Sequence, residues 1–251
     1  MKKRSKTKSR NQIDFFENES DDVFYYIAGY TDGGAPYGVT WEEIIADELK
    51  FRSAVKKDAK KAVELIHIAI TDIAEQLTGQ TKKENIRETL AHFFREENNR
   101  LSFQNIIVAD ILGEVAGIII TYPGEDASRL DEPILKRLRK KRRDDEIFLD
   151  KEADEGDYYV DTICVDDRFR GYGIGTMLLK EAEKTALQKG YPKVSLNVAK
   201  DNPNAKKLYT RMGYKEEKVI QINEHPYIYM VKTLRDEEKM LFFPEKTGLL
   251  N

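Results

Sequence analysis

The sequence has almost no cysteine and no long apolar segment, and both absences limit what the protein can be. Cys164 is the single cysteine among 251 residues, which excludes a disulfide within the chain and is typical of a reducing compartment. No segment approaches the roughly 20 apolar residues of a membrane-spanning helix. The basic start MKKRSKTKSR continues into a polar, acidic segment where a signal peptide has apolar residues. We therefore expect a soluble, cytoplasmic protein with no membrane partner.

An excess of one charge is also lacking. The chain has 42 basic and 45 acidic residues, a formal net charge of −3, so it is not a polycation and nucleic-acid binding is a minor hypothesis. Histidine is scarce as well: His67 and His92 fall on predicted helices without a second ligand at metal spacing, so no metal site is predicted. What the chain has is 40% hydrophobic residues, with 13 Tyr and 11 Phe, which is enough for a substantial core.

Residues 1–49 differ from the rest and are predicted to form a basic tail followed by an aromatic, glycine-rich arm. Six of the first ten residues are basic and none is acidic, which is typical of a solvated tail. In the arm, Val23 to Tyr30 is predicted as a strand, residues 31–38 as a turn and Thr40 as a helix N-cap. Such aromatic content needs burial, on the main domain or on a second copy of the chain, so a homodimer through the arm is a hypothesis. A ligand-binding role for the arm is a weaker one.

Regular periodicity places a main domain at residues 50–234, followed by a C-terminal tail at residues 235–251. Apolar residues between positions 59 and 73 recur at spacings of three and four, which predicts one continuous helix. A polar insertion, residues 123–156, contains KRLRKKRR at 136–143, where seven of eight residues are basic. Its apolar residues also have helical spacing. Two interpretations stay open for the basic run: a solvated helix face held by local ion pairs, and a platform for an acidic substrate or partner.

The stretch from Tyr158 to Leu179 is the most informative part of the sequence. An apolar segment fit for a buried strand leads through a polar turn into Arg170-Gly171-Tyr172-Gly173-Ile174-Gly175, which opens a helix. Backbone N–H groups at a helix N-terminus have no intrahelical partner, and glycines let an anion approach them closely. This order of elements predicts a phosphate site, although paired glycines also serve as ordinary turn residues.

A second motif, thirty residues downstream, makes the first one specific. Residues 202–214 match Asn-x-x-Ala-x-x-Leu-Tyr-x-x-x-Gly-(Phe/Tyr), and residues 170–175 match (Gln/Arg)-x-x-Gly-x-(Gly/Ala) directly after a strand. Over about residues 50–234 the chain resembles the GCN5-related N-acetyltransferase (GNAT) superfamily. The resemblance implies an α/β (α+β) fold: a central mixed, mostly antiparallel, twisted sheet of six to seven strands flanked by about four helices. The first 49 residues and the basic insertion lie outside the resemblance.

The resemblance implies an acyltransferase that uses acetyl-CoA as cosubstrate and transfers the acetyl group directly to a primary amine of a small molecule or a protein. Amides of the glycine loop would hold the pyrophosphate. The preceding strand would pair with the pantetheine arm, and the Val165 N–H would polarise the thioester carbonyl. Cys164 is predicted as a packed strand residue, not a nucleophile. The implied acetyl-CoA-binding residues are Cys164, Val165, Arg170, Gly171, Tyr172, Gly173, Ile174, Gly175, Thr176, Asn202, Ala205 and Tyr209.

Three residues are candidates for proton transfer. Tyr209 occupies the position at which the superfamily places a general acid near the sulfur, and a phenol can protonate a departing thiolate. Strand alternation puts Asp157 and Asp161 on one face. Because relatives carry an acidic base on this strand, Asp161 is the first candidate for the base and Asp157 the second. His225 and Tyr227 are candidates for the acceptor pocket.

The two motifs concern the binding of acetyl-CoA and do not identify the acceptor amine. They also leave open a function of another class, a non-catalytic acyl-CoA-binding sensor or scaffold in which the arm and the basic insertion bind a partner. The intact loop, together with Asn202 and Tyr209, favours an enzyme.

Overall fold

The structure is a computed structural model that describes Asp21, residues 23–235 and Phe242. These residues fall into two compact units, the first ending at Asp47 and the second starting at Glu48. The basic start of the chain and, apart from Phe242, the tail after Arg235 lie outside the described residues, so what the sequence predicts for them stays a prediction.

The first unit is a β-hairpin followed by a helix: β1 (Phe24–Tyr30), β2 (Pro36–Thr40) and α1 (Trp41–Glu48). Thr40 begins the helix through a reciprocal pair of bonds, because the Glu43 N–H donates to Thr40 Oγ1 at 3.2 Å and the Thr40 N–H donates to Glu43 Oε2 at 2.8 Å. The predicted N-cap is therefore confirmed. The predicted turn is shorter than expected, since its last three residues pair with β1 as part of β2.

The second unit contains a seven-stranded sheet in the order β3-β4-β5-β6-β7-β9-β8. Every neighbouring pair is antiparallel except β6 and β7. This confirms the predicted mixed, mostly antiparallel sheet. The strands are β3 (Leu49–Ser53), β4 (Ile106–Ile111), β5 (Glu114–Pro123), β6 (Tyr158–Val165), β7 (Lys193–Ala199), β8 (Lys215–Ile222) and β9 (His225–Thr233).

Six helices accompany this sheet within the described residues, where the sequence predicted about four. The helix expected between positions 59 and 73 is two helices, because the backbone of Ile70 leaves the α-region at φ −108° and ψ 26°. Another helix occupies the insertion. None of the described helices is long and apolar enough to cross a membrane. The helices are α2 (Ala59–Ala69), α3 (Thr71–Thr78), α4 (Lys83–Arg95), α5 (Ala127–Arg142), α6 (Ile174–Gln188) and α7 (Pro203–Arg211).

The basic run of the insertion forms the end of α5. The spacing of Ile134, Leu135 and Leu138 predicts a helix; it buries Ile134 and Leu138, together with Leu130, and leaves Leu135 half-buried. The ion pairs expected along the run reduce to one in the described part of the chain, a 3.8 Å contact between Arg139 and Glu132. Local ion pairing therefore does not hold this face together, and the basic side chains mostly complement the negative end of the helix dipole.

The core lies on both faces of the sheet, and one glycine sets how closely a helix approaches it. α2 and α4 bury Leu65, Ile66, Leu90 and Phe94 in one large apolar cluster. On α6, Leu178 packs on β5 above Gly117, where an added Cβ would lie 3.1 Å from Leu178 Cδ1. A larger residue at this position would push away the helix that follows the glycine loop.

The two parallel strands separate in the middle of the sheet. β6 and β7 pair only over Tyr158 to Val160, although both strands continue further. The β5–β6 register passes from Val160 to Thr162 across consecutive β5 residues, which leaves Asp161 as a β-bulge at the point of separation. Beyond this bulge, one edge of β6 has no strand partner among the described residues. An open strand edge of this kind is available for an extended ligand.

Candidate active site

A cleft of about 470 Å³ opens where β6 and β7 separate. Its walls come from the break between α2 and α3, the end of β6, the end of β7, the start of α7 and the β8–β9 hairpin. Several residues singled out from the sequence line it together: Asp161, Cys164, Val165, Arg170, Asn202, Ala205, Tyr209 and Tyr227. Asp157 and His225 are not among its lining residues.

The glycine loop presents a row of backbone N–H groups that have no acceptor. A 3-10 turn over Asp167–Phe169 leads into the loop. The first bond of α6 is donated by the Met177 N–H to the Gly173 carbonyl at 3.1 Å, and the N–H groups from Gly171 to Thr176 have no hydrogen-bond acceptor in the described part of the chain. At the positive end of a helix, these groups form a site for an anion such as pyrophosphate.

The loop needs glycine at two positions for its backbone. Gly171 has φ +87° and Gly173 has φ +79°, both in the left-handed region that side-chain-bearing residues rarely adopt. Arg170, at the mouth of the loop, is exposed and pairs with Asp167 at 2.7 Å. Its guanidinium is therefore near the loop and accessible to a phosphate.

Asp166 anchors the turn that precedes the loop. Burial alone would raise its pKa, but hydrogen bonds from Arg168 and Lys61 lower the pKa of Asp166 to about 2. The carboxylate also accepts the backbone N–H of Arg168 at 2.9 Å. A permanently ionised side chain thus fixes where β6 ends and where the loop begins.

The open edge of β6 offers the Val165 N–H to the cleft. The Asp166 N–H donates to the Ala116 carbonyl of β5 at 2.9 Å. Hydrogen-bonded and non-hydrogen-bonded pairs alternate along an antiparallel ladder. Val165, which lies opposite Gly117, therefore turns its own N–H and C=O away from β5. These groups point to the edge that β7 leaves free.

Cys164 is buried in the core beneath the same strand. Its side chain belongs to the large apolar cluster, and burial raises the pKa of the thiol. A protonated, packed thiol is a poor nucleophile. This environment matches the packed strand residue that the sequence predicts.

Tyr209 lies on α7 with its ring buried and its side chain lining the cleft. Burial raises the pKa of Tyr209 to about 12, so the phenol keeps its proton at neutral pH. Its ring packs edge-on against Tyr214, with centroids 6.1 Å apart. In the part of the chain that the structure describes, the Tyr209 hydroxyl has no hydrogen-bond partner, which leaves its proton available to a ligand.

Asn202 begins α7 and has one amide atom committed to that role. Its Oδ1 accepts the Ala205 N–H at 3.1 Å, as a helix N-cap does. Within the described residues its Nδ2 makes no hydrogen bond, so the side chain can cap the helix and still donate to a ligand in the cleft. The two interpretations of Asn202 are therefore compatible.

A buried arginine that bonds to two cleft-lining residues, Glu152 and Asp161, is the main feature that the sequence does not reveal. Arg100 lies between α4 and β4 with its side chain only 2% exposed. Its Nη1 and Nη2 donate to the two carboxylate oxygens of Glu152, each at 2.9 Å. Its Nε donates to Asp161 Oδ2 at 2.8 Å, and Nη1 lies 3.4 Å from Asp131. One guanidinium thus joins three carboxylates from distant parts of the chain.

Asp161 lines the cleft, yet its oxygens already have donors. Oδ2 accepts Arg100 and the Tyr122 hydroxyl, the latter at 2.5 Å, and Oδ1 accepts the Thr162 hydroxyl at 2.7 Å. Burial raises the pKa of Tyr122 well above its usual value, so it remains a donor. Asp157 accepts the Tyr229 hydroxyl at 2.7 Å outside the cleft lining. Of the two candidate bases, only Asp161 lines the cleft.

Comparison with known proteins decides the family. The sequence profile described as Acetyltransferase (GNAT) family matches residues 69–214, more than half of the chain. The chain belongs to the GNAT acetyltransferase family. The match includes both motifs that led to the resemblance, residues 170–175 and residues 202–214. No group of three or more metal-ligating side chains able to hold an ion occurs among the described residues of this GNAT protein.

Solved GNAT-type structures share this fold. The crystal structure of an acetyltransferase is 35% identical with a TM-score of 0.61, covering 74% of this chain and 100% of that one. An N-acetyltransferase from Staphylococcus aureus Mu50 is 26% identical with a TM-score of 0.64, covering 73% and 100%. A segment of 62 residues is 39% identical to an uncharacterized N-acetyltransferase of Methanocaldococcus jannaschii, and this match spans 25% of the chain and 27% of that relative.

Proposed function

We propose that the protein is an acetyl-CoA-dependent N-acetyltransferase that transfers the acetyl group directly to a primary amine. The observation that carries the proposal is a set of groups without partners among the described residues: the Val165 N–H at the β6 edge, the loop amides from Gly171 to Thr176 and the Tyr209 hydroxyl in the cleft. Family membership supports acetyl transfer as the chemistry. A primary amine as the acceptor is what the resemblance in sequence implies, and it is the part of the proposal that the experiment below tests.

Several polar groups of the glycine loop and the cleft could bind acetyl-CoA. The amides of Gly171 to Thr176, with the charge of Arg170, would hold the pyrophosphate. The Val165 N–H and C=O would pair with the pantetheine amides as a neighbouring strand does, with Asn202 adding a side-chain donor. The loop amides, the Val165 N–H and the Asn202 Nδ2 have no partner among the described residues. Arg170 pairs with Asp167 but is exposed. The residues present therefore suit the cosubstrate.

Acetyl-CoA supplies an acetyl group on a thioester, and the protein then has two tasks at the reacting centre. The Val165 N–H stabilises negative charge on the carbonyl oxygen as it develops. Tyr209 protonates the departing thiolate, for which its raised pKa keeps it in the acid form. Asp161 remains the first candidate for the base that takes the amine proton, through water because its own oxygens are engaged, and Asp157 the second.

An amine panel tests this function. The purified protein is titrated with acetyl-CoA in a calorimeter and then assayed for free thiol release with primary amines and with peptides bearing free N-termini. We expect micromolar to millimolar KM behaviour for at least one amine, the usual range for enzymes. Tight acetyl-CoA binding without thiol release for any amine would refute catalysis and favour the acyl-CoA sensor.

A further inference from the structure

The cluster around Arg100 carries an excess of negative charge inside the protein. One guanidinium faces the carboxylates of Asp131, Glu152 and Asp161, and none of the three has a second cationic partner in the described part of the chain. Burial raises the pKa of Asp131 to about 6, so even this group is mostly ionised at neutral pH. Buried charge without a counterion is costly, so a cation from outside would be stabilised there.

The hydrogen bonds of the three carboxylates indicate where such a cation would bind. A carboxylate accepts about four hydrogen bonds. Asp161 Oδ2 accepts Arg100 and the Tyr122 hydroxyl, whereas Oδ1 accepts the Thr162 hydroxyl alone. Asp131 does not line the cleft. Glu152 Oε2 accepts Arg100 and the Tyr159 hydroxyl, whereas Oε1 accepts Arg100 alone. Glu152 Oε1 and Asp161 Oδ1 can therefore each accept a further donor from the cleft, and Glu152 is the one whose backbone is bonded to Asn197.

A second acceptor without a donor belongs to the same wall. The Nδ2 of Asn197 donates to the Glu152 carbonyl and to the Tyr159 hydroxyl, each at 2.9 Å, which fixes the orientation of the amide. Its Oδ1 is buried and has no hydrogen-bond partner among the described residues. Both Glu152 and Asn197 line the cleft where β7 leaves β6. Two unfilled acceptors and excess negative charge together suit a ligand that is cationic and rich in N–H donors.

We propose that Glu152 binds the ammonium group of the acceptor, with Asn197 as its second hydrogen-bond acceptor. The proposal rests on the acetyltransferase function proposed above and adds the residue that recognises the amine. Glu152 lies on an irregular segment before β6, outside both sequence motifs. The contacts that hold this segment include the bidentate pair with Arg100, the bond from Asn197 to the Glu152 carbonyl and the bond from the Asn223 N–H to Asp150 at 2.8 Å. The carboxylate is thereby fixed before an acceptor arrives.

The test compares Glu152→Gln with Glu155→Gln, a matched change on an exposed side chain of the same segment. Because a hydrogen bond to a charged group is lost, we expect E152Q to raise KM for n-butylamine about 10- to 100-fold. The acetyl-CoA affinity should not change, and E155Q should behave as the parent. Saturation-transfer NMR of n-butylammonium with the CoA-bound protein gives a readout that needs no turnover, and its signal should disappear in E152Q.

Equal KM and equal NMR signal for parent and E152Q would overturn the Glu152 proposal and leave the acetyltransferase function standing. If the parent acetylates no amine, the proposed function fails, and the NMR comparison alone decides whether Glu152 binds a cation. If E152Q does not fold, Glu152→Asp replaces it, since the shorter side chain withdraws the carboxylate. An unchanged n-butylamine KM and NMR signal in E152D would overturn the proposal too.

Discussion

Replacing Tyr209 with Phe removes one hydroxyl from the cleft and little else. The ring is 7% exposed and packs on Tyr214, and Phe retains both the burial and the ring contact. Because the hydroxyl has no partner among the described residues, no buried bond is broken. We therefore expect the free energy of unfolding to change by less than about 0.5 kcal/mol. The same change removes the proposed general acid.

We expect Tyr209→Phe to lower kcat strongly. General acid catalysis contributes roughly 100- to 10,000-fold, so kcat should fall by at least about 100-fold while the acetyl-CoA KM changes little. Deprotonation of Tyr209 should not reduce the activity of the parent below about pH 11, because its pKa of about 12 keeps the hydroxyl protonated there.

Steady-state thiol release, with urea unfolding in parallel, measures both parts of the Tyr209 prediction. Tyr37→Phe, an exposed tyrosine in the first unit, serves as the control and should have parent kinetics. A Y209F protein that turns over at the parent rate would refute the assignment of Tyr209 to acid catalysis. Unfolding during purification would instead refute the statement that its hydroxyl is structurally dispensable.

Three further predictions concern other parts of the site. Gly173→Glu should abolish acetyl-CoA binding in calorimetry, since it strains a residue at φ +79° and adds an anion to the loop at the start of α6. Gly190→Glu, with a similar φ of +85° but at the opposite end of α6, should bind normally. Asp131→Asn should stabilise the protein in urea unfolding by about 2 kcal/mol at pH 7.5 and by little near pH 4. The reason is that the raised pKa of Asp131, about 6 in the folded state, makes the stability of the parent fall as the pH rises from about 4 to 6. Asp161→Asn should lose less activity at high pH, where the amine sheds its proton unaided, and a loss independent of pH would argue against a base.

The part of the cleft that we propose binds acetyl-CoA was predictable because its residues are close in sequence. The strand, the turn and the glycine loop form one stretch, and the Asn202–Tyr209 motif follows within a few dozen residues. Both depend on local chemistry: positive φ at Gly173, a helix N-terminus and a helix N-cap. Such local features require particular residues at fixed spacings, so they can be recognised as sequence motifs.

The Arg100 cluster, where we propose that the acceptor binds, was not predictable because its residues meet only through the sheet. Arg100 is 31, 52 and 61 positions from Asp131, Glu152 and Asp161, and no periodicity links them. The bulge at Asp161 is equally hidden, since it arises from the β5–β6 register and not from a glycine or proline. The helix break at Ile70 could not be predicted, because the apolar residues keep their helical spacing across it.

A single-turnover experiment with acetyl-CoA radiolabelled in the acetyl group tests direct transfer at this cleft most directly. The enzyme is mixed with labelled acetyl-CoA and the best amine from the panel, quenched at short times, and separated into protein, cosubstrate and amine. Direct transfer predicts that label passes from acetyl-CoA to the amine without appearing on the protein, consistent with the buried, protonated thiol of Cys164. Label that accumulates on the protein before it reaches the amine would contradict it.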